Sequence, residues 1–140
     1  MADDTKLKRL AEIPLFSRLP RKDLELVAEM TDDLHVAPGR VLTREGDAAY
    51  VAYVIVSGQA AVSVGGERVS TLGPGEIVGE MGLIDSAPRT ATITSDSEMD
   101  VYVIEPGRFG PLLDRPGIAK ALLIATIKRL RQADELLHRH

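Results

Sequence analysis

The sequence predicts an α+β fold, in which an antiparallel β-roll (a double-stranded, jelly-roll-like barrel) lies between helices at the two ends of the chain. Apolar residues recur at helical spacing near the N-terminus and again over a long C-terminal stretch, and short alternating stretches punctuated by glycines fill the middle. The 140 residues match the size of one compact domain, so we expect a single domain spanning 1–140.

Residues 1–34 carry the pattern of two helices. The first apolar-periodic stretch is interrupted by Pro14, which a helix interior does not tolerate. A second helix is expected to begin near Pro20, because proline fits the first turn, where the backbone N–H has no partner. Leu24 and Val27 are expected on its apolar face.

Residues 35–105 are expected to form the β-roll. Residues 63–69 alternate apolar and polar side chains around Gly65-Gly66, which predicts a β-hairpin with a two-residue turn. Residues 90–94 and 101–104 supply two further strands. Many short strands at regular spacing are typical of a barrel or a two-sheet roll.

Residues 106–140 are expected to return to helix. A short helix over 108–113 should end near Pro116-Gly117, and a long helix should follow from Ile118 to about Leu137. The two Pro-Gly pairs, at 106–107 and 116–117, are plausible hinges.

The long helix carries an apolar seam with 4-3-7 spacing, formed by Leu123, Ile127, Leu130 and Leu137. We expect this seam to pack in the core, and a homodimer through the C-terminal helix is the alternative. The neighbouring basic residues, such as Lys128 and Arg131, are expected on a solvated face.

Composition excludes several functions. There are no cysteines, and two of the three histidines are His138 and His140, so no metal site and no catalytic residues are expected. The net charge of −4 argues against direct nucleic acid binding by this chain. Without an export signal or a long apolar segment, we expect no membrane association and a cytoplasmic location.

The most informative segment is 75–92. Gly79 and Gly82 would let the backbone approach a ligand closely, and a helical turn from Met81 would offer free amides to an anion. Glu80 precedes that turn and Arg89 follows it. A carboxylate accepts hydrogen bonds from sugar hydroxyls, and a guanidinium fits phosphate oxygens, so the segment suits a small phosphorylated sugar.

This segment closely resembles the phosphate-binding cassette of cyclic nucleotide-binding domains, the sensor modules of catabolite activator-like proteins and protein kinase A regulatory subunits. The Gly-Glu at 79–80, the Leu-Ile at 83–84 and the Pro-Arg-Thr-Ala-Thr at 88–92 all follow the pattern of that family. Upstream, the glycine turns and strands at 38–60 look similar too. Val78 departs from it, since that position is often aromatic.

The resemblance implies a role for each cassette residue. Glu80 would accept the ribose 2′-hydroxyl, Arg89 would pair with the cyclic phosphate, and Thr90 would add its hydroxyl or amide. The last helix would cap the purine, with Leu130 and Arg131 as candidates. The full set of expected ligand-binding residues is Gly79, Glu80, Met81, Gly82, Leu83, Arg89 and Thr90.

The resemblance therefore implies a non-enzymatic sensor without a cofactor, whose ligand is cAMP or alternatively cGMP, and whose C-terminal helices act as hinge and lid. Its effector domain or partner protein is unknown, and the chain is either an excised regulatory domain or a stand-alone binder. The alternative is a degenerate dimerisation or docking module that binds no nucleotide. A cupin-type metal enzyme is disfavoured, because only His35 lies in the β region.

Overall fold

The computed structural model describes residues 4–47, 51–79 and 91–138, with side chains in the last helix described through Lys128 and at Arg131. Two helices come first, eight strands follow, and two further helices end this part of the chain, which is the predicted order. In chain order the elements are α1 (Asp4–Glu12), α2 (Arg21–Met30), β1 (Asp32–Val36), β2 (Val41–Thr43), β3 (Ala52–Ser57), β4 (Ala60–Val64), β5 (Glu67–Leu72), β6 (Ile77–Val78), β7 (Thr92–Ser95), β8 (Met99–Ile104), α3 (Pro106–Leu113) and α4 (Pro116–His138).

The strands form two antiparallel sheets of four strands each. The first sheet has the order β1-β8-β3-β6 and the second has the order β2-β7-β4-β5. Among the described strands no pairing joins the two sheets, so the roll is an open pair of sheets and not a closed barrel. The predicted antiparallel β-roll with flanking helices is confirmed.

The two central strands of the first sheet, β8 and β3, are largely buried on both faces. Along β8, Met99 and Val101 pack between the sheets, whereas Tyr102 and Ile104 join the apolar cluster beneath the helices. Successive side chains of a strand point to opposite faces, so both sets must be apolar. The same two-sided burial explains the long apolar run through β3, where Val54 and Ile55 are fully buried.

The hairpin of β4 and β5 turns through Gly65 and Gly66, as predicted. Their φ angles are +60° and +82°. Two consecutive residues with positive φ are the signature of a type I′ turn, which glycine adopts without strain. The helices α1 and α2 are also confirmed, but the roll begins at Asp32, three residues earlier than predicted.

The predicted face of the long helix is wrong where its side chains are described. Ile118 and Leu122 are buried against the body of the protein, whereas Leu123 is 59% exposed and Ile127 is 38% exposed. The periodicity identified the stripe that contains Leu123, but the stripe that contains Leu122, one position earlier, is the one that packs against the protein.

Candidate functional site

The entrance to the predicted cassette is a tight turn between β5 and β6. Gly75, with φ +89°, donates its N–H to the carbonyl of Ile55 at 2.8 Å. The Glu76 carboxylate accepts the N–H of Gly73 at 2.6 Å. The turn is therefore held both by β3 and by its own side chain, which fixes the direction in which the chain enters the cassette.

Strand β6 then carries the chain to Gly79 along the edge of the first sheet. Ile77 pairs with Val54 and Val78 pairs with Tyr53. Gly79 has φ +87°. An L-residue rarely adopts this left-handed conformation, so glycine is the residue that fits immediately before Glu80.

The exit from the cassette lies in the second sheet. The hydroxyl of Thr43 donates to the carbonyl of Ala91 at 3.2 Å, and the N–H of Glu45 donates to the hydroxyl of Thr92 at 3.0 Å. From Thr92 the chain continues as β7, between β2 and β4. Residues 80–90 thus join one sheet to the other and are anchored at both ends.

The structure describes one of the seven predicted cassette residues, Gly79. Its φ of +87° gives a reason for glycine other than the one expected from the sequence, and the expected close approach of its backbone to a ligand stays a prediction. Of the two purine-cap candidates, Arg131 is exposed on α4, and the side chain of Leu130 lies outside the described residues. The other predicted residues, Glu80, Met81, Gly82, Leu83, Arg89 and Thr90, also lie outside the described residues, so their roles stay predictions.

The strand that leads into the cassette shares a core with the last helix. Ile77 is 1% exposed and belongs to the same apolar cluster as Ile118 and Leu122 of α4. Phe109 of α3 and Phe16 of the segment after α1 complete the contact region. β6 and the first turns of α4 therefore contribute to one apolar cluster.

A polar cluster that the sequence did not predict lies across β1, β8 and β3. His35 Nδ1 and Asp100 Oδ1 are 2.9 Å apart, and Ser57 donates to Asp100 Oδ2 at 3.3 Å. The hydrogen bond with Asp100 raises the pKa of His35, and the same bond lowers the pKa of Asp100. Only the strand register brings these residues together, and the register is not visible in the sequence.

Two searches of the described residues bear on other kinds of site. Within 4–47, 51–79 and 91–138, no three or more His, Cys, Asp or Glu side chains are grouped so that they could hold a metal ion. In the same part of the chain, no helix combines the length and the apolar character needed to cross a membrane.

The sequence is similar to a known domain family and to several characterised proteins. The sequence pattern of the cyclic nucleotide-binding domain matches residues 33–115. The acetyltransferase Pat of Mycolicibacterium smegmatis is 33% identical over 136 residues, which cover 93% of this chain and 41% of that protein. The chain spans less than half of the length of the first curated relatives that it matches.

Solved structures agree as well. The regulatory domain of Toxoplasma gondii PKA, crystallised with cAMP, superposes with a TM-score of 0.70 at 32% identity, covering 80% of this chain and 46% of that one. The catabolite activator protein of Thermus thermophilus superposes with a TM-score of 0.77 at 27% identity, covering 89% of this chain and 62% of that one. From its sequence pattern, its two-sheet roll and these relatives, the chain belongs to the cyclic nucleotide-binding domain family.

Proposed function

We propose that this chain is a non-catalytic sensor domain that binds a cyclic nucleotide, cAMP in preference to cGMP, through residues 79–90. One observation carries the proposal. The segment that contains Glu80 and Arg89 leaves the first sheet at Gly79 and is anchored to the second sheet at Ala91. The described residues on either side of the segment therefore hold its two ends in different sheets.

The chemistry of the two charged residues supports a cyclic phosphate attached to a ribose. The guanidinium of Arg89 offers a planar pair of N–H donors to phosphate oxygens, and the carboxylate of Glu80 accepts hydrogen bonds from a sugar hydroxyl. The choice of cAMP as a ligand is supported by the Toxoplasma gondii domain that was crystallised with cAMP.

The test is calorimetric titration of the purified chain with cAMP and with cGMP, after removal of co-purified nucleotide. We expect one-to-one binding, tighter for cAMP. Arg89→Ala should weaken it by about two orders of magnitude or more, because a desolvated charge partner is lost. Arg40→Ala, which removes an exposed arginine outside the cassette, should bind like the parent.

Absence of binding or of thermal stabilisation with either nucleotide would contradict the proposal. It would favour the alternative of a dimerisation or docking module. Equal affinity of the parent and Arg89→Ala would show that the nucleotide binds without the cassette arginine, and the assignment of the site would then be wrong.

We further propose that the nucleotide changes how α4 packs. The support is the apolar cluster shared by Ile77, just before the cassette, and Ile118 and Leu122 of α4. A ligand shifts a conformational equilibrium only when it binds the two arrangements unequally, and this contact offers a route to such a difference. The relatives are a kinase regulatory domain, an activator protein and an acetyltransferase, so we propose that the effector is supplied by another domain or chain.

Amide hydrogen exchange of α4, measured with and without cAMP, tests the coupling. Leu122 is 4% exposed and its neighbour Leu123 is 59% exposed, so Leu123→Ala is a matched control for Leu122→Ala. We expect cAMP to change exchange in 116–128 of the parent and of Leu123→Ala, and to change it less in Leu122→Ala. If cAMP binds and exchange in α4 stays the same in the parent, the coupling does not exist.

A further inference from the structure

A cavity of about 790 Å³ lies between α4, the segment that joins α1 to α2, and the turn before β6. The segment before α2 lies close to two glycines of the cavity lining, Gly75 and Gly117. A Cβ added to Gly75 would lie 3.3 Å from Cδ of Pro14, and one added to Gly117 would lie 3.4 Å from Cδ2 of Leu19. Its volume falls within the range of about 300–1,000 Å³ that is usual for small-molecule sites.

The described walls of the cavity are largely apolar. Leu15 and Leu19 contribute from the segment before α2, Ile77 from β6, and Ala121 and Ile124 from α4. Aliphatic walls of this kind favour an occupant with an apolar body, because contact removes apolar surface from water on both sides.

The charged side chains around the cavity are mainly cationic. Arg18, Lys120 and Lys128 line it together with one carboxylate, Glu76. That carboxylate already accepts the N–H of Gly73 at 2.6 Å. Within the described part of the chain, none of the three cations has a carboxylate oxygen within 4 Å. The side chains that do form such ion pairs are Lys6, Arg21, His35, Arg68, Arg108 and Arg115.

This local charge is opposite to that of the whole chain. Three cations face one engaged carboxylate, although the chain carries a net charge of −4. The segments 14–20, 74–77 and 117–128 contribute the described lining, and Gly79 is not part of it. The described lining therefore consists of residues other than those assigned to the nucleotide.

We propose that this cavity is a second ligand site, which binds a small organic anion with an apolar body, such as a medium-chain carboxylate. The apolar body lies against Leu15, Ala121 and Ile124, and the anionic group faces Lys120 and Lys128. A solvated anion at such a rim gains from each cation, and this gain falls as salt screens the charges. None of the described lining residues is one of the seven residues assigned to the nucleotide, so the two sites can be tested with separate variants.

The probe is decanoate, titrated by calorimetry, with decyltrimethylammonium as the probe of equal chain length and opposite charge. We expect saturable one-to-one binding of decanoate, with the cationic probe at least tenfold weaker. Lys120→Gln/Lys128→Gln should weaken decanoate binding about tenfold or more. The control Lys22→Gln/Arg40→Gln removes two exposed cations outside the cavity and should bind like the parent.

A second variant tests the volume and not the charge. Ala121→Phe places a ring where the cavity wall is small and should block decanoate without removing any cation. Circular dichroism and retained cAMP affinity would establish that Ala121→Phe is folded. If Ala121→Phe does not fold, the decanoate affinity of Lys120→Gln/Lys128→Gln decides whether the cavity binds the anion.

The site is also separable from the cassette. We expect decanoate to bind the parent in saturating cAMP and to bind Arg89→Ala. Loss of decanoate binding in both would show that the anion occupies the nucleotide site, and the proposal would be wrong. No saturable binding, equal binding of the cationic probe, or full affinity in Lys120→Gln/Lys128→Gln would each overturn it as well.

Discussion

Replacing Gly79 with alanine should damage nucleotide binding more than it damages the fold. Gly79 has φ +87° and stands immediately before Glu80, the residue expected to hold the ribose hydroxyl. Alanine disfavours this conformation because its Cβ approaches the following carbonyl oxygen. The chain can relieve the strain by rotating the peptide between residues 79 and 80, and that rotation moves the carboxylate.

The magnitude follows from two separate effects. The backbone strain of an L-residue at this φ is about 1–2 kcal/mol, which lowers the melting temperature by about 4 °C for each kcal/mol in a domain of this size. A displaced Glu80 loses a charged hydrogen bond of about 1.5–3 kcal/mol, which is about a 10- to 150-fold loss of affinity.

Gly66→Ala is the matched control. Gly66 has φ +82°, and no heavy atom lies within 4 Å of the position that its Cβ would take. It lies in the β4–β5 hairpin, so the variant carries the same backbone strain without touching the cassette. We expect both variants to lose similar stability and only Gly79→Ala to lose affinity.

The assay pairs urea denaturation with calorimetric titration of cAMP for the parent and both variants. Equal affinity of Gly79→Ala and the parent, at a similar loss of stability, would show that Gly79 does not set the position of the ligand-binding carboxylate. An unchanged unfolding free energy in Gly79→Ala would refute the argument from positive φ itself.

Three further predictions concern the rest of the molecule. Gly58→Ala should lower the unfolding free energy by more than about 2 kcal/mol, and by more than Gly66→Ala does, because φ is +89° and the new Cβ would collide with the backbone carbonyl oxygen of Glu98. Urea denaturation of both variants checks these values. The raised pKa of His35 and the lowered pKa of Asp100 mean that their pairing stabilises the fold between those two pKa values and is lost as pH rises through that of His35. His35→Gln should therefore flatten the decline in melting temperature between about pH 6 and 8, and a decline as steep as in the parent would contradict this. If α4 forms a homodimer, Leu123→Glu/Ile127→Glu should produce a monomer by light scattering, whereas a parent that is already monomeric contradicts the dimer.

Local backbone chemistry made parts of the fold predictable. Gly65-Gly66 predicted the hairpin correctly because two consecutive positive φ angles exclude most other residues. Pro14 and Pro20 placed the end of α1 and the start of α2 within two residues, because proline limits where a helix can continue. Such signals act within a few residues and need no knowledge of what packs against them.

Tertiary contacts made other parts unpredictable. Asp23 is a buried carboxylate in the first turn of α2, and its Oδ1 lies 3.7 Å from Nη1 of Arg115, which immediately precedes α4. A carboxylate in a helix is normally expected in water, and only the packing of α2 against the α3–α4 junction reverses that expectation. The pairing of His35 with Asp100, 65 positions away, depends likewise on strand register.

The candidate site was predictable to a different degree. The segment 75–92 was recognisable because the residue types of the family pattern occur in it at the expected spacing. The structure adds that residues 77–78 belong to the first sheet and that Ala91 is hydrogen-bonded to the second. The cavity beside α4 was not recognisable. Its cations are Arg18, Lys120 and Lys128, and more than 100 positions separate the first from the last. In the sequence, Lys128 was interpreted as part of a solvated helix face.

The two apolar faces of α4 give this helix a specific place in the proposed mechanism. Ile118 and Leu122 pack on the body of the protein, whereas Leu123 and Ile127 lie exposed. A partner that covers the exposed face would restrict where α4 can pack, and in the proposed mechanism the nucleotide acts on the same equilibrium through the apolar cluster that contains Ile77. Suppose that a partner binds the nucleotide-bound arrangement tenfold more tightly than the nucleotide-free one. Linkage then requires that the partner raise the affinity for the nucleotide by the same factor of ten, a coupling free energy of about 1.4 kcal/mol. Measuring cAMP affinity with and without a saturating α4 partner gives this factor, and an unchanged cAMP affinity would show that the packing of α4 is not coupled to nucleotide binding.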